Sequence, residues 1–564
     1  MHRKSLLSLF MLSMGAALIF AAMAVGAASA KSQAVKNLVV TQGGGAFDTL
    51  DPQLAYVSND WGLQYNTELT LLNFPTAAGT AGTKLIPQAA SAFPTITNGG
   101  KTYVFKIRPG LKLSDGSKVT AANFQRAFER NLSPSMYAQW GIADGMDKFL
   151  VGGSKFAAGK ASHISGIDAN GLTLTIHLTQ VVPQFTSIMG MPWFQAVPVN
   201  LAFSNNKGGI RVYASGGPYY IYSNNLNKLT VLKRNKNWPT SAYFTNNWPS
   251  NPDVITVKST PNSDGTAELL QAEKGQVDLA GVASQDIHAT VQTYGINKPS
   301  SKGELIIGPT TCILWNAMND QAKNGTTAKT NVRKALNYAM SRSVQNSYYG
   351  EQAGASSEQI LVPAIPGYKK ITYYGGSGDL GKAKTTGGAD LKNAPLNIYY
   401  RASSTAQSNI AEYMQSQANK LGMKPNLTPA DPADYYGALE TKATATGNGG
   451  YNITASGGWC ADYEDGYDYF NVNFDGRNIQ PTGNADYMYF NNATFNSHMD
   501  AAAAKTGSAR ATAYGNLDKE FMTNYAPLIP REIPNTREFA GPRVHNYIYS
   551  TWWGQGFWNA IKIN

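Results

Sequence analysis

Apolar and polar residues alternate at two places in the first half of the chain. From Thr102 to Arg108, Tyr103, Phe105 and Ile107 lie on one face. From Leu172 to Thr179 the apolar positions are Leu172, Leu174, Ile176 and Leu178. A period of two predicts half-buried strands. His177 falls on the Thr face of the second, so it reads as a solvent-facing strand residue rather than a ligand or a base. Between the two, Ser114-Asp115-Gly116-Ser117 makes a turn. Thr120 then caps a helix whose apolar residues, Phe124, Ala127 and Phe128, recur at i, i+3 and i+4. Residues 76–195 therefore read as a small α+β unit.

Elsewhere strand and helix patterns alternate. Lys36 to Thr41 reads as a strand, followed by turn-rich Gly43 to Pro52. The glycines there do not give G-x-G-x-x-G and no helix opens behind them, so a mobile loop is expected. A strand at Leu229–Lys233 precedes a helix from Thr266 to Lys274, ended by Gly275, and a new strand begins at Val277. Asn331 to Arg342 reads as one helix with Val332, Ala335, Leu336 and Ala339 on one face. Asn397–Tyr400 reads as a strand, Ile410–Leu421 as a helix stopped by Gly422, and Gly/Lys/Thr-rich 375–388 as a loop. Ala-rich 501–505 belongs in a helix. Trp552, Trp553 and Trp558 are expected to pack on a core.

The first thirty residues break this pattern. Met1-His2-Arg3-Lys4 precedes an apolar run from Leu6 to Val25 and then Gly26-Ala27-Ala28-Ser29-Ala30. This is a charged start, an apolar middle and a small-residue cleavage site, which predicts a secretory signal peptide over 1–30. No other run approaches the ~20 apolar residues that span a bilayer. No Cys adjoins the cleavage site to carry a lipid. The expectation is an exported, extracytoplasmic protein, in a periplasm, with no lipid anchor. The remaining chain, about 530 residues, exceeds what one core supports, so two or three domains are expected.

The chain carries 47 Lys and Arg against 36 Asp and Glu, a net charge of +11. The basic residues are scattered (Lys233, Arg234, Lys236; Lys323, Lys329; Arg531, Arg537), with no block of five. A nucleic-acid groove needs a clustered stripe, so these read as solubility charge and no nucleic-acid partner is expected. Cys312 and Cys460 are the only cysteines. Outside the cytoplasm they are expected to pair, with two free buried thiols as the alternative. Such a bridge would stabilise by roughly 4–5 kcal/mol on the chain-entropy account.

The most telling stretch is Gly457-Gly458-Trp459-Cys460-Ala461-Asp462-Tyr463. A lone acid beside a Trp suits a small cationic, partly apolar ligand. Glu464, Asp465 and Asp468 follow, but Gly466 is fifth from Asp462 where a calcium loop needs its Gly sixth. Solvated acids or helix caps are the expectation, with no metal. G-x-S-x-G and H-E-x-x-H are missing, and the six His residues are far apart. Gly376 to Lys382 fits G-x-x-x-x-G-K, yet Ala383 stands where Ser or Thr is required. No catalytic residue and no cofactor are predicted. A secreted hydrolase stays as the alternative from another class.

Several segments together resemble one family. Tyr103 to Ala121, through Pro109-Gly110-Leu111 and Ser114-Asp115-Gly116, is similar to the signature of solute-binding protein family 5, the dipeptide- and oligopeptide-binding proteins of ABC importers. Gly216-Gly217-Pro218-Tyr219 before Lys233-Arg234-Asn235 resembles the next block. So do Gln271 to Asp278 and Val332 to Ala339, in the same order over nearly the whole mature chain. Trp459-Cys460-Ala461-Asp462-Tyr463 looks like the oligopeptide-binding branch. The resemblance implies a disulfide from Cys460 to Cys312, Asp462 pairing with a peptide α-amino group, and Trp459 lining a side-chain pocket. Gly458 and Cys460 beside them are expected at the ligand. Ser133 to Ala138 resembles the segment that carries a ligand-contacting Tyr, which gives Tyr137. Tyr56 to Asn59 falls where the family's first lobe meets the peptide backbone, which gives Tyr56 and Ser58. The chain departs from the family at Asp465-Gly466, where Asp-Pro is common, and at Ser456, where some peptide binders hold a basic residue.

What the resemblance implies is an α/β, periplasmic-binding-protein-like two-lobe fold of type II with an extra small α+β domain. Lobe I would be 31–75, 196–310 and 535–564, with 76–195 inserted, and lobe II would be 311–534. Segments near 309–312 and 530–536 would form the hinge. The implied function is capture of oligopeptides or dipeptides for an ABC importer, whose permease subunits are the partners of a monomer. Relatives that take sugars, metal chelates or opines leave a non-peptide solute as the alternative.

Overall fold

A long strand, Leu528–Ala540, organises the molecule. Its first half pairs antiparallel with Cys312–Ala317 and Gly354–Ser356; its second half pairs with Glu304–Pro309 and Leu279–Gly281. From there the sheet continues through Asn37–Gly43, Val254–Thr260, Leu229–Arg234 and Tyr219–Asn225, and Gly458–Cys460 closes its other edge. The computed structural model describes residues 35–43, 47, 49–136, 145–204, 213–225, 228–260, 265–431 and 434–564. The expected leader, 1–30, and Tyr137 lie outside them. Lys36 to Asn564 forms one compact unit. Among the described residues no helix is long and apolar enough to cross a membrane.

Two smaller sheets flank this one. Thr95–Thr97, Thr102–Lys106, Thr173–His177 and Ile167–Asn170 form an antiparallel four-stranded sheet. Its apolar alternation buries Tyr103, Phe105, Leu174 and Ile176 against the helix Ala121–Leu132. Thr120 closes that helix in a capping box with Asn123. His177 stays partly exposed, beside Asp168 and Thr102. The other sheet is parallel, in the order Lys424–Ala430, Pro395–Arg401, Ile453–Thr454. The helices Thr330–Ala339 and Thr405–Lys420 cover it, with Leu336, Leu396, Ile398, Ile410 and Met414 in its core. Trp552, Trp553 and Trp558 are buried.

Four expectations need correction. The helix read over 331–342 ends at Ala339. Met340 is extended, and Ser341 starts a second helix, Arg342–Ser347, by accepting from the Val344 amide. The loop read over 375–388 contains a helix, Leu380–Gly387, capped by Asp379 through the Lys382 amide. Only Ala383 and Gly387 bury there, too little apolar surface to show a period. The turn-rich segment 43–52 is packed where it is described: Phe47, Leu50 and Asp51 are buried and Asp51 pairs with Arg130. Arg531, read as solubility charge, is fully buried, because it lies in the long central strand.

Candidate functional site

Gly458–Cys460 runs antiparallel to Cys312–Leu314, with Cys460 opposite Cys312 and Trp459 opposite Ile313. Cys312 and Cys460 are disulfide-bonded across this pair. The two strands approach closely enough to demand glycine. A Cβ at Gly458 would sit 2.8 Å from the Ile313 carbonyl, and one at Gly457 would sit 2.9 Å from the Trp315 indole nitrogen. The pairing leaves the chain at Ala461–Asp462 with a fixed heading. Asp468, fully buried at the start of the helix Gly466–Phe474, accepts the Asp462 amide at 2.9 Å. The reading of Asp468 as a solvated acid is thus overturned; it holds the backbone of Asp462.

The Asp462 carboxylate is 8% exposed and accepts a hydrogen bond from the Tyr56 hydroxyl at 3.0 Å. Tyr56 is itself held in an aromatic box. It stacks on Trp193 at 5.6 Å and meets Trp61 edge-on at 5.6 Å. Both indole N–H groups donate to the Ala55 carbonyl. The box fixes the tyrosine by packing and by polar anchors at once. Trp61 and Trp193 were not singled out from sequence. Pro192-Trp193-Phe194 offered no pattern beyond aromatic density.

Of the expected site residues, the structure brings together Asp462 and Tyr56, with Trp459, Gly458 and Cys460 on the adjoining strand. Trp459 is half-buried. Ser58 begins the helix Ser58–Gln64 and is exposed. Asp465 is the helix cap that was anticipated, accepting the Tyr467 amide at 2.8 Å. It also makes a two-point pair with Arg510, which in turn donates to Gln184 at 3.1 Å. Glu464 is half-buried rather than solvated. Burial pushes its carboxyl up to about 7, with Lys84 pulling the other way. Burial, and then the Asp468 and Asp462 carboxylates, push the Tyr469 hydroxyl well up, and it donates to the Thr311 carbonyl. A cavity of about 410 Å³ lies beside this group, lined by Pro183, Asp465, Arg510 and Tyr514. Among the described residues no three His, Cys, Asp or Glu gather as a metal site.

Chemically, the arrangement offers one desolvated carboxylate, a phenol donor, indole walls and an edge strand held by a covalent bridge. A buried carboxylate pairs with a cation far more strongly than one at the surface does.

Residues 84–481 match the family described as bacterial extracellular solute-binding proteins, family 5 Middle. The oligopeptide-binding protein OppA of Bacillus subtilis is 26% identical over 279 residues, which is 48% of this chain and 47% of that protein; the chain thus spans about half the length of this relative. The periplasmic oligopeptide-binding protein OppA of Escherichia coli is 21% identical, over 76% of each chain. Among solved structures, the clavulanic acid biosynthesis oligopeptide binding protein 2 superposes with a TM-score of 0.80 at 20% identity, covering 94% of this chain and 96% of its own. The periplasmic binding protein DppA of Helicobacter pylori, in complex with the peptide STSA, gives 0.71 at 18%, covering 94% and 98%. The fold is that of these two-lobed binding proteins.

Proposed function

The chain belongs to the bacterial extracellular solute-binding proteins of family 5, and on that premise we propose that it captures short peptides outside the cytoplasm and delivers them to an ABC importer. Asp462 neutralises the peptide's α-amino group. Trp459 walls a side-chain pocket, and the backbone of Gly458 to Cys460 pairs with the peptide main chain as an added strand. Tyr56, and Ser58 beside it, approach from the other lobe. The role of the protein is binding rather than catalysis.

One observation carries this reading. The almost fully buried Asp462 is met by Tyr56 from 406 residues away in the chain, so one carboxylate lies where two distant segments close on each other. Lobe I (31–75, 196–310, 535–564), the inserted domain (76–195) and lobe II (311–534) are the bodies that move. The hinge is at 309–312 and 530–536, where Thr310 donates to the Pro534 carbonyl. Closure brings Tyr56 to Asp462 and shuts water out. The disulfide fixes Asp462 in advance and lowers the ordering cost of binding. The compartment is a periplasm, the working form is a monomer, and the partners are the permease subunits.

Native mass spectrometry with tri- to pentapeptides tests this. One-to-one binding of free peptides is expected. N-acetylation, or Asp462→Ala, should weaken binding by about 30-fold or more, the loss expected when one member of a buried charge pair is removed. Binding that ignores both changes sinks the role of Asp462. A persistent co-purified non-peptide mass sinks the ligand class.

A further inference from the structure

Arg510 and Gln184 join lobe II to the inserted domain, and the capture step described above uses neither. Arg510 is buried in the helix Gly507–Glu520, and its own lobe holds most of its guanidinium. Nε donates to one Asp465 oxygen at 2.7 Å and Nη2 to the other at 2.9 Å. Nη1 donates to the Ala503 carbonyl at 2.6 Å, at the end of the helix Ala493–Ala503. The Tyr514 ring centre lies 5.1 Å from the guanidinium carbon. These contacts fix the plane of the fork within lobe II. Nη2 then donates to the Gln184 side-chain oxygen at 3.1 Å, across 326 positions of the chain.

Gln184 is held just as firmly on its side. It is buried and leads into the short helix Phe185–Ile188, where its carbonyl accepts the Ile188 amide at 3.0 Å. Phe185, next to it, is fully buried and lies 4.7 Å from Tyr103 of the four-stranded sheet. The hydrogen bond therefore links two packed bodies rather than two loose side chains. The cavity of about 410 Å³ beside it is lined from both, by Pro183 on one side and by Asp465, Arg510 and Tyr514 on the other. Faces between domains of one chain resemble transient interfaces and can part.

The sequence carries a mark of this arrangement. The chain has Asp465-Gly466 where the family commonly has Asp-Pro. A Cβ at residue 466 would sit 2.4 Å from the Tyr514 ring. Glycine there lets the helix Gly507–Glu520 lie against the start of the helix Gly466–Phe474, and that approach brings Arg510 onto Asp465. Asp465 follows Asp462 by three residues. The arginine that reaches the inserted domain is thus anchored on the segment whose Asp462 meets Tyr56.

We infer that Arg510 and Gln184 form a closing latch, by which the inserted domain grips lobe II directly and sets how long a captured ligand is retained. The inference rests on the lobes and the peptide capture proposed above. Both are positioning residues, acting through the closed form rather than on the ligand. A contact made only when the bodies meet favours the closed form alone, so it slows release. Asp465 holds Arg510 in place beforehand, so closing has little left to order.

Stopped-flow kinetics of tetra-alanine on the purified full chain test this. Gln184→Ala should speed release about 10-fold or more, the loss of one hydrogen bond to a charged group, and leave the association rate unchanged. Arg510→Lys keeps a charge for Asp465 but loses the fork, and should speed release to a similar extent. The double variant should release no faster than the quicker single one, because both changes remove one shared contact. An unchanged release rate in Gln184→Ala overturns the latch, and so do two effects that multiply. Faster release matched by equally slower association marks a damaged site and overturns it too. If tetra-alanine does not bind, the peptide reading fails by itself, and small-angle scattering of the ligand-free protein decides the latch. Gln184→Ala should then enlarge the radius of gyration, and equal radii overturn it.

Discussion

Arg130 and Arg531 each bury a guanidinium completely, in two regions that treat it differently. Arg130, on the helix Ala121–Leu132, meets the Asp51 carboxylate, the Gln53 side chain and the Ala202 carbonyl with its three nitrogens. Arg531, on the long strand, meets an aromatic ring and a carboxylate too distant for a hydrogen bond. Burying a charge is repaid only when partners match its geometry. The first region meets that condition and ties 51–53, the helix and residue 202 together. The second does not, and the strand Cys312–Ala317 separates it from Gly458–Cys460. Polar groups left unmatched inside a protein are commoner at functional sites than in scaffolding. The contrast therefore separates a charge whose donors the fold fills from one whose donors it leaves unfilled.

The largest effect expected is at Arg130. Arg130→Met leaves the buried Asp51 carboxylate without its cation, and the loss should be about 3–5 kcal/mol, read by urea unfolding of the ligand-free protein. A loss under about 1 kcal/mol would show that matched partners do not make the difference, and the comparison would fail at its firmer end.

How legible this was in the sequence follows from the range of the interactions. The strands at Thr102 and Thr173 and the helix after Thr120 were legible, because period and cap are local. The helix Leu380–Gly387 was not, because its apolar face is two residues wide and its cap, Asp379, follows a Gly-rich run. Asp462 and Tyr56 were legible as separate candidates through family likeness. Their contact spans 406 residues and no local rule reaches that far. The aromatic box around Tyr56 depends on Trp193, equally remote. Arg531 was misread for the same reason. An Arg followed by a Glu looks like surface charge until the strand is seen inside a sheet.

A buried acid with donors but no cation lies between the two arginine cases. Asp518 accepts from the Ile360 and Leu361 amides at 2.9 and 3.1 Å and from Gln359 at 3.2 Å. Burial nonetheless pushes its carboxyl up to about 7, the three hydrogen bonds pulling the other way. The folded protein thus keeps a proton that the unfolded chain releases above about pH 4. Stability should fall as pH rises from about 4 to about 7, by on the order of 1 kcal/mol per pH unit, and then level off. Asp518→Asn should lessen the slope by about that amount in urea unfolding between pH 5 and 7. An identical slope in the variant would mean that the hydrogen bonds alone settle the charge, without a counter-ion.

The smallest effect is expected at Arg531, and it tests the other end of the comparison. Arg531→Met alone is a poor probe, because Glu532 is 1% exposed. Burial raises its pKa while Arg531 and Arg537 hold it down, so the single change leaves a bare buried acid. Arg531→Met with Glu532→Gln removes both charges. No hydrogen-bond acceptor is abandoned by the guanidinium, so ligand-free stability should change by less than about 1 kcal/mol, or rise. The matching pair Arg130→Met with Asp51→Asn abandons the Gln53 oxygen and the Ala202 carbonyl, each costing about 1–3 kcal/mol. The two double variants, unfolded in urea under one set of conditions, should differ clearly. Equal losses would mean that Arg531 supports the fold as Arg130 does, and that its unfilled donors are met by solvent inside the folded chain. A loss confined to Arg130 would show that the charge at position 531 contributes nothing to the stability of the fold.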